Sequence, residues 1–166
     1  RYGNVMGSRG TVIPYFLSLK SQGVLPITDP RMTRFMISLD QGVKLVWQAF
    51  NDMHGGEIYV KKIPSIKITT IAKAISPEAK HKIIGIRPGE KLHEQMISEE
   101  DSPYTYEYES FFKILPSIND WHMSQDRING GIRVKEGFTY SSNNNSEWMS
   151  ENSLRDLVAT NFKEEI

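Results

Sequence analysis

Cysteine is missing from the sequence altogether, which removes disulfide frameworks, thiolate metal sites and a cysteine nucleophile. No apolar run approaches the ~20 residues of a membrane span, and no leader-like segment precedes the first motif. There is no surplus of either charge: twenty basic residues face twenty acidic ones. That balance calls for neither nucleic acid nor an anionic membrane as partner. A cytoplasmic protein is the expectation. An initiating methionine is also lacking. The chain opens Arg1-Tyr2-Gly3-Asn4-Val5, as if inside a strand and loop, and reads as a piece of something longer.

What is present suits a globular protein. The 166 residues are 39% hydrophobic and 24% charged, enough for one ordinary domain with an apolar core. Residues 3–10 hold three glycines and read as a loop. Val12, Ile13, Tyr15, Phe16 and Leu19 recur at helical spacing up to about Lys20, with Pro14 tolerated in the first turn. Val24 to Thr28 is β-prone, Asp29-Pro30 turns the chain, and Thr33 to Ile37 is a further extended piece. Ser38-Leu39-Asp40-Gln41 spells a capping box. The helix it opens carries Leu39, Val43, Val46, Trp47 and Phe50 on one face, and His54-Gly55-Gly56 ends it. Glu57 to Lys61, Lys82 to Ile86 and Phe111 to Leu115 read as strands. Ile68 to Ile75 reads as a helix entered through Thr69 or Thr70, and Leu92, Met96 and Ile97 suggest a short helix. Residues 129–146 are loop or extended chain, and Ser150 caps a last helix with Leu154, Leu157 and Val158. Strands alternating with helices point to an α/β fold.

Three stretches have the residue types for ligand chemistry. In the opening loop, glycines let backbone amides approach a phosphate or cofactor, or simply make a tight strand-to-helix turn. Between Ile27 and Phe35, two arginines and two threonines suit a pyrophosphate, or else Asp29 pairs locally with an arginine. In Arg87-Pro88-Gly89-Glu90-Lys91, Arg87 suits a phosphate and Glu90 a ribose hydroxyl; the alternative is a proline-initiated helix with Glu90 at its positive end. The histidines His54, His81, His93 and His122 have no metal-ligand spacing, and no serine sits in a nucleophile elbow. The run Tyr104, Tyr106, Tyr108, Phe111 and Phe112 is interleaved with acids, which suits packing better than stacking on nucleic acid.

Taken together, Arg1 to Gly10, Ile27 to Phe35 and Ile86-Arg87-Pro88-Gly89-Glu90-Lys91-Leu92-His93-Glu94 resemble the polysaccharide-biosynthesis branch of the extended short-chain dehydrogenases. Within it the chain looks most like the inverting UDP-N-acetylglucosamine 4,6-dehydratases that begin pseudaminic acid synthesis; Tyr140-Ser141-Ser142-Asn143 through Trp148-Met149 favour that subgroup. The resemblance implies the carboxy-terminal portion of a Rossmann-type α/β enzyme with its small substrate-binding domain. Residues 1–120 would hold the end of the Rossmann-type domain interwoven with the nucleotide-sugar subdomain. Residues 121–166 would form a carboxy-terminal extension with a final helix.

The same resemblance implies roles. Asn4, Val12, Thr28, Arg87 and Glu90 would bind the UDP-sugar. Val5, Met6, Gly7, Ser8 and Arg9 would lie beside the nicotinamide end of NADP, while Asp29 and Arg34 would be structural. Full-length members tend to be homo-oligomers. The family reaction is an internal redox cycle on the sugar, with loss of the C6 hydroxyl and inversion at C5. Two family features are absent: the dinucleotide-binding glycine fingerprint, and a tyrosine with a lysine four residues later. No residue of this chain is therefore assigned as catalytic, and the chain alone is expected to be inactive. A UDP-sugar epimerase of the same family and a non-catalytic UDP-sugar-binding module are the competing readings.

Overall fold

A computed structural model of the chain describes residues 1–8 and 10–162. In chain order the elements begin β1 (Asn4–Val5), α1 (Val12–Leu19), β2 (Val24–Ile27), β3 (Thr33–Ile37) and α2 (Leu39–Asp52). They continue with β4 (Ile58–Lys61), β5 (Ser65–Lys67), α3 (Ile68–Ile75), β6 (Lys80–Ile83) and β7 (Gln95–Ile97). The last are β8 (Thr105–Glu107), β9 (Phe111–Ile114), α4 (Gln125–Ile128), β10 (Ile132–Arg133), β11 (Tyr140–Ser141) and α5 (Glu151–Asn161). The fold is α/β, with both parallel and antiparallel pairings.

Contacts divide the chain into two interleaved units. One comprises Gly3–Ile37, Pro64–Glu94 and the chain from Ser142 onward; the other comprises Arg1–Tyr2, Ser38–Ile63 and Gln95–Ser141. The expected division at residues 120 and 121 follows enzyme architecture, whereas the contacts group residues 121–141 with α2 and β4.

In the first unit, β3 is flanked by β1 in parallel and β5 in antiparallel register, pairing Asn4 with Met36 and Phe35 with Ser65. Beside them β2 and β6 run parallel from Val24 and Lys80 to Ile27 and Ile83. Three helices supply the core. Helix α1 buries Ile13, Phe16 and Leu17, and α3 buries Ile68, Ile71, Ala72, Ala74 and Ile75. Leu154 and Val158 of α5, four apart on one face, join the same cluster. Ser150 caps α5 as expected, accepting the Ser153 amide at 3.1 Å. Helix α3 begins one residue before Thr69, with Lys67 as its unassisted N-cap, so neither threonine caps it. Among the described residues no helix is long and apolar enough to cross a membrane.

The second unit is built on an antiparallel sheet of order β10, β8, β9, β4. The hairpin β8–β9 pairs Thr105 with Ile114 and Glu107 with Phe112. The short pair β7–β11 sets Tyr140 opposite Ile97, and the buried Tyr140 hydroxyl bonds both the amide and the carbonyl of Ile63 at 3.0 Å. The helix expected around Leu92, Met96 and Ile97 is instead strand β7, which buries Met96 and Ile97 against its partner. Three apolar residues, Leu92, Met96 and Ile97, are too few to fix a period, so strand pairing decides it. Across β9, Lys113 is almost wholly buried, 2.6 Å from Asp52 and 2.7 Å from the Arg127 carbonyl. Its ammonium also lies over the rings of Tyr59 and Tyr108.

Helix α2 has its capping box in full, with Ser38 and Gln41 exchanging bonds at 3.2 and 3.0 Å. Its orientation departs from expectation. Gly42, Leu45 and Ala49 face the unit's own core, while the large apolar stripe through Leu39, Val43, Val46, Trp47 and Phe50 is exposed. Periodicity shows which residues share a face, not what that face meets. Leu45 is 4% exposed and Trp47 64%. Leu45→Ala is therefore expected to lower the unfolding free energy by about 2–4 kcal/mol, and Trp47→Ser to change it by no more than about 0.5 kcal/mol. Urea denaturation of both variants checks this.

Candidate functional site

Parallel strands deliver loops to one end, and strand ends are where α/β folds gather ligands. In the first unit Thr28 directly follows β2. The segment leaving β6 is held beside it by the Ile84 amide bonding the Ile27 carbonyl at 2.9 Å. That segment leads into Arg87-Pro88-Gly89-Glu90, which is a closed turn and not the start of a helix. The Glu90 amide bonds the Arg87 carbonyl at 3.0 Å, and the Glu90 carboxylate returns to the Arg87 amide at 3.2 Å. Gly89 takes φ +80°, which proline followed by glycine favours. Asn4 comes from β1 and Val12 from the first turn of α1.

Asn4, Val12, Thr28, Arg87 and Glu90, drawn from distant parts of the sequence, line a single cavity of about 580 Å³. This size lies within the range for small-ligand sites. Tyr15, Phe16, Met32 and Ile68 add apolar wall.

Two further lining residues, Arg34 and Glu94, were not expected there as ligand-facing groups. Arg34 stands 3.9 Å from Glu90 and 3.6 Å from Glu94, and also donates to the Thr33 and Leu92 carbonyls. A charged residue within a strand whose other members are all buried was the available signal for Arg34. Nothing local marks Glu94, which reaches the site from a segment 60 residues later. Its carboxyl is pushed above the usual glutamate range by burial, a rise only partly offset by the Phe35 amide, Arg34, Lys91 and the Asn4 side chain.

With Arg34 engaged by carboxylates, Arg87 is left as the cavity cation without an ion-pair partner among the described residues. In the stretch from Ile27 to Phe35 the local alternative holds for Asp29. Arg31 grips it through side chain and backbone at 2.7–3.0 Å and holds its carboxyl at about 2. Arg31 points to solvent.

The residues assigned to the cofactor lie elsewhere. Val5 pairs with Ile37, and Met6 packs on the helical core. Gly7 adopts φ +81° with the Phe162 ring where a Cβ would project. Ser8 is exposed, its hydroxyl donating to the Val5 carbonyl at 2.9 Å. None of these four lines the cavity. Arg9 lies outside the described residues.

Comparison with known proteins gives this arrangement a context. The profile of the polysaccharide biosynthesis protein family matches residues 1–116. A Campylobacter jejuni protein named UDP-N-acetylglucosamine 4,6-dehydratase (inverting) is 56% identical over 95% of this chain and 49% of its own length. A Rickettsia conorii UDP-glucose 4-epimerase is 40% identical over 87% of the chain and 44% of its own. The solved structure of Pen from Bacillus thuringiensis superposes on all of this chain and 48% of its own, with TM-score 0.80 and 30% identity. The chain thus spans about half the length of the curated relatives it matches.

Proposed function

Because the chain belongs to the polysaccharide biosynthesis protein family, a branch of the extended short-chain dehydrogenases, we propose that it forms the nucleotide-sugar-binding part of a UDP-N-acetylglucosamine 4,6-dehydratase. The observation that carries this reading is the convergence of Asn4, Val12, Thr28, Arg87 and Glu90 on one cavity. Arg87 takes a diphosphate oxygen by a charge-assisted hydrogen bond. Glu90, an acceptor, takes a ribose hydroxyl, and Asn4, Val12 and Thr28 line the sugar end. Support for the substrate comes from the Campylobacter relative at 56% identity.

The reaction is dehydration with inversion at C5, the first step towards pseudaminic acid and flagellin or surface-glycan modification. The protein works in the cytoplasm as a homo-oligomer. NADP is the proposed cofactor, and Val5 to Ser8 are the described residues that would meet its nicotinamide end. They carry no charge and leave Gly7 and Ser8 exposed, so they offer no cation for phosphates and suit the nicotinamide end better. When bound, the cofactor supplies the site that accepts and returns a hydride. The role of this chain's residues is to bind and orient the sugar.

Calorimetric titration tests the binding half: saturable uptake of UDP and UDP-N-acetylglucosamine by the folded chain is expected, and none by a folded chain sinks the reading. A product assay on a protein of the relatives' full length tests the reaction. The 40% identity to an epimerase favours a second reading, 4-epimerisation, which the same assay separates by yielding a C4 epimer with its C6 hydroxyl intact.

A further inference from the structure

The turn after α4 reads Ile128-Asn129-Gly130-Gly131, and Asn129 is the one asparagine in the sequence followed by glycine. Asn129 takes φ +48°, a left-handed conformation that asparagine and glycine tolerate best. Its side chain is committed as well, donating to Asp52 Oδ1 at 3.0 Å. The other oxygen of Asp52 accepts from Lys113 Nζ at 2.6 Å and from the Tyr59 hydroxyl at 2.7 Å. Asn129 thus places an uncharged donor at the solvent edge of a cluster whose ammonium is buried. Both Asn129 and Gly130 are exposed. Gly130 takes φ +77°, and no described atom lies within 4 Å of where its Cβ would stand.

This pair of residues is chemically labile. The asparagine side-chain carbonyl is an electrophile, and a following glycine leaves the next backbone nitrogen unhindered. We propose that Asn129 is a site of spontaneous deamidation, whose product sets a second carboxylate against Asp52 and loosens the Lys113 cluster. The Gly130 nitrogen gives up its proton and bonds to Asn129 Cγ, the Cγ–Nδ2 bond breaks, and ammonia leaves. Water then opens the cyclic imide at either carbonyl, giving aspartate or isoaspartate. Water is the only co-reactant, and nothing is oxidised or reduced. Asp52 Oδ1 afterwards faces an acceptor where it had a donor. Arg127 of α4 is already held by Glu57 at 2.5 Å, so the new charge lacks a cation of its own. Isoaspartate also lengthens the main chain where the Asn129 amide closes α4 onto the Gln125 carbonyl at 2.9 Å. This inference stands apart from the nucleotide-sugar reading and does not need it.

The test incubates the folded chain in mildly alkaline and mildly acidic buffer and maps its peptides by mass. A gain of about one dalton is expected in the peptide holding Asn129. It is expected sooner in alkali, because the attacking nitrogen must lose its proton. The peptide holding Asn143 to Asn145 serves as internal control and should lag well behind. Asn129→Gly keeps a residue suited to left-handed φ and should gain nothing in that turn.

Stability reads the consequence. Asn129→Asp is expected to lower the thermal midpoint by roughly 3–8 °C near neutrality, the worth of a hydrogen bond to a charged group. Asn129→Gly loses the bond without adding charge, and should lose less. The groups facing Asn129 are Asp52 of α2, the Tyr59 hydroxyl of β4 and Lys113 of β9, with Arg127 on Glu57 beside them. Two neighbouring carboxylates raise the value at which one of them takes a proton. Below it the protonated group donates to the other, so the gap between wild type and Asn129→Asp should close on acidification. Aged wild type, separated by its extra negative charge on ion exchange, gives the same reading if Asn129→Asp does not fold. No mass gain at Asn129, or an equal gain at Asn143 to Asn145, overturns the site. Equal midpoints for Asn129→Asp and Asn129→Gly at every pH, or an aged fraction as stable as the fresh chain, overturn its consequence.

Discussion

Replacing Arg87 with alanine is expected to weaken UDP binding roughly thirtyfold and to leave the thermal midpoint almost unmoved. The two halves of that expectation have separate causes. Arg87 is exposed, and its guanidinium has no ion-pair partner among the described residues, so its loss strands no buried charge. The other cavity arginine, Arg34, sits within 4 Å of two carboxylates and has less positive charge to offer a ligand. A charge-assisted hydrogen bond to a diphosphate is worth about 2 kcal/mol, which converts to the stated factor. Calorimetry on the wild type and Arg87→Ala, with uridine as a ligand lacking phosphate, reads it directly. Uridine affinity should be the same for both. An equal fall for uridine and UDP would mean that Arg87 shapes the turn and does not hold phosphate.

The largest stability effect is expected at Lys113. This residue is 1% exposed, inside an antiparallel sheet, bonded to Asp52 and to the Arg127 carbonyl. Asp52 also accepts from the Tyr59 hydroxyl at 2.7 Å and the Asn129 amide at 3.0 Å. Lys113→Ala leaves that carboxylate without its cation and opens a cavity, together expected to cost about 3–5 kcal/mol. Lys113→Met restores most of the volume and isolates the charge, for about half that loss. The pH dependence separates the two causes. Burial pushes the Asp52 carboxyl up, but hydrogen bonds from Lys113, Tyr59 and Asn129 outweigh it and leave it below its usual range. A depressed folded value adds stability above about pH 4, and this contribution is lost as pH falls through the depressed value. The gap between wild type and Lys113→Met should therefore be widest near neutrality and narrow below about pH 4 in urea titrations. A gap independent of pH would assign the whole effect to packing.

Local chemistry made much of this fold readable from the sequence. The capping box at Ser38, the cap at Ser150 and the helical spacing around Phe16 each involve residues within a turn or two of one another, and each stands where the pattern puts it. Strand β5 and the short strands β10 and β11 were not legible, because two or three residues carry no period and exist only through distant partners. Strand β6 was read two residues late: its register is set by pairing with β2 from Val24 to Ile27, not by its own composition. Arg87 and Glu90 were marked by their own chemistry and Asn4, Val12 and Thr28 through resemblance, but the meeting of all five in one cavity was beyond any reading of spacing. Glu94 was invisible for a related reason. Its environment comes from Asn4, Arg34, Phe35 and Ser142, between 48 and 90 positions away.

The interleaving of the two units also bears on inheritance. The chain passes from one to the other after Tyr2, Ile37, Ile63, Glu94 and Ser141. No single gene breakpoint can then exchange one unit and spare the other. A recombinant joined anywhere between residues 38 and 94 would combine foreign and native segments within both. The cavity residues Asn4 and Arg87 lie on opposite sides of the α2–β4 excursion, so they travel together only if that intervening segment does too. A single crossover therefore cannot remodel the ligand end alone, whereas substitution in place can.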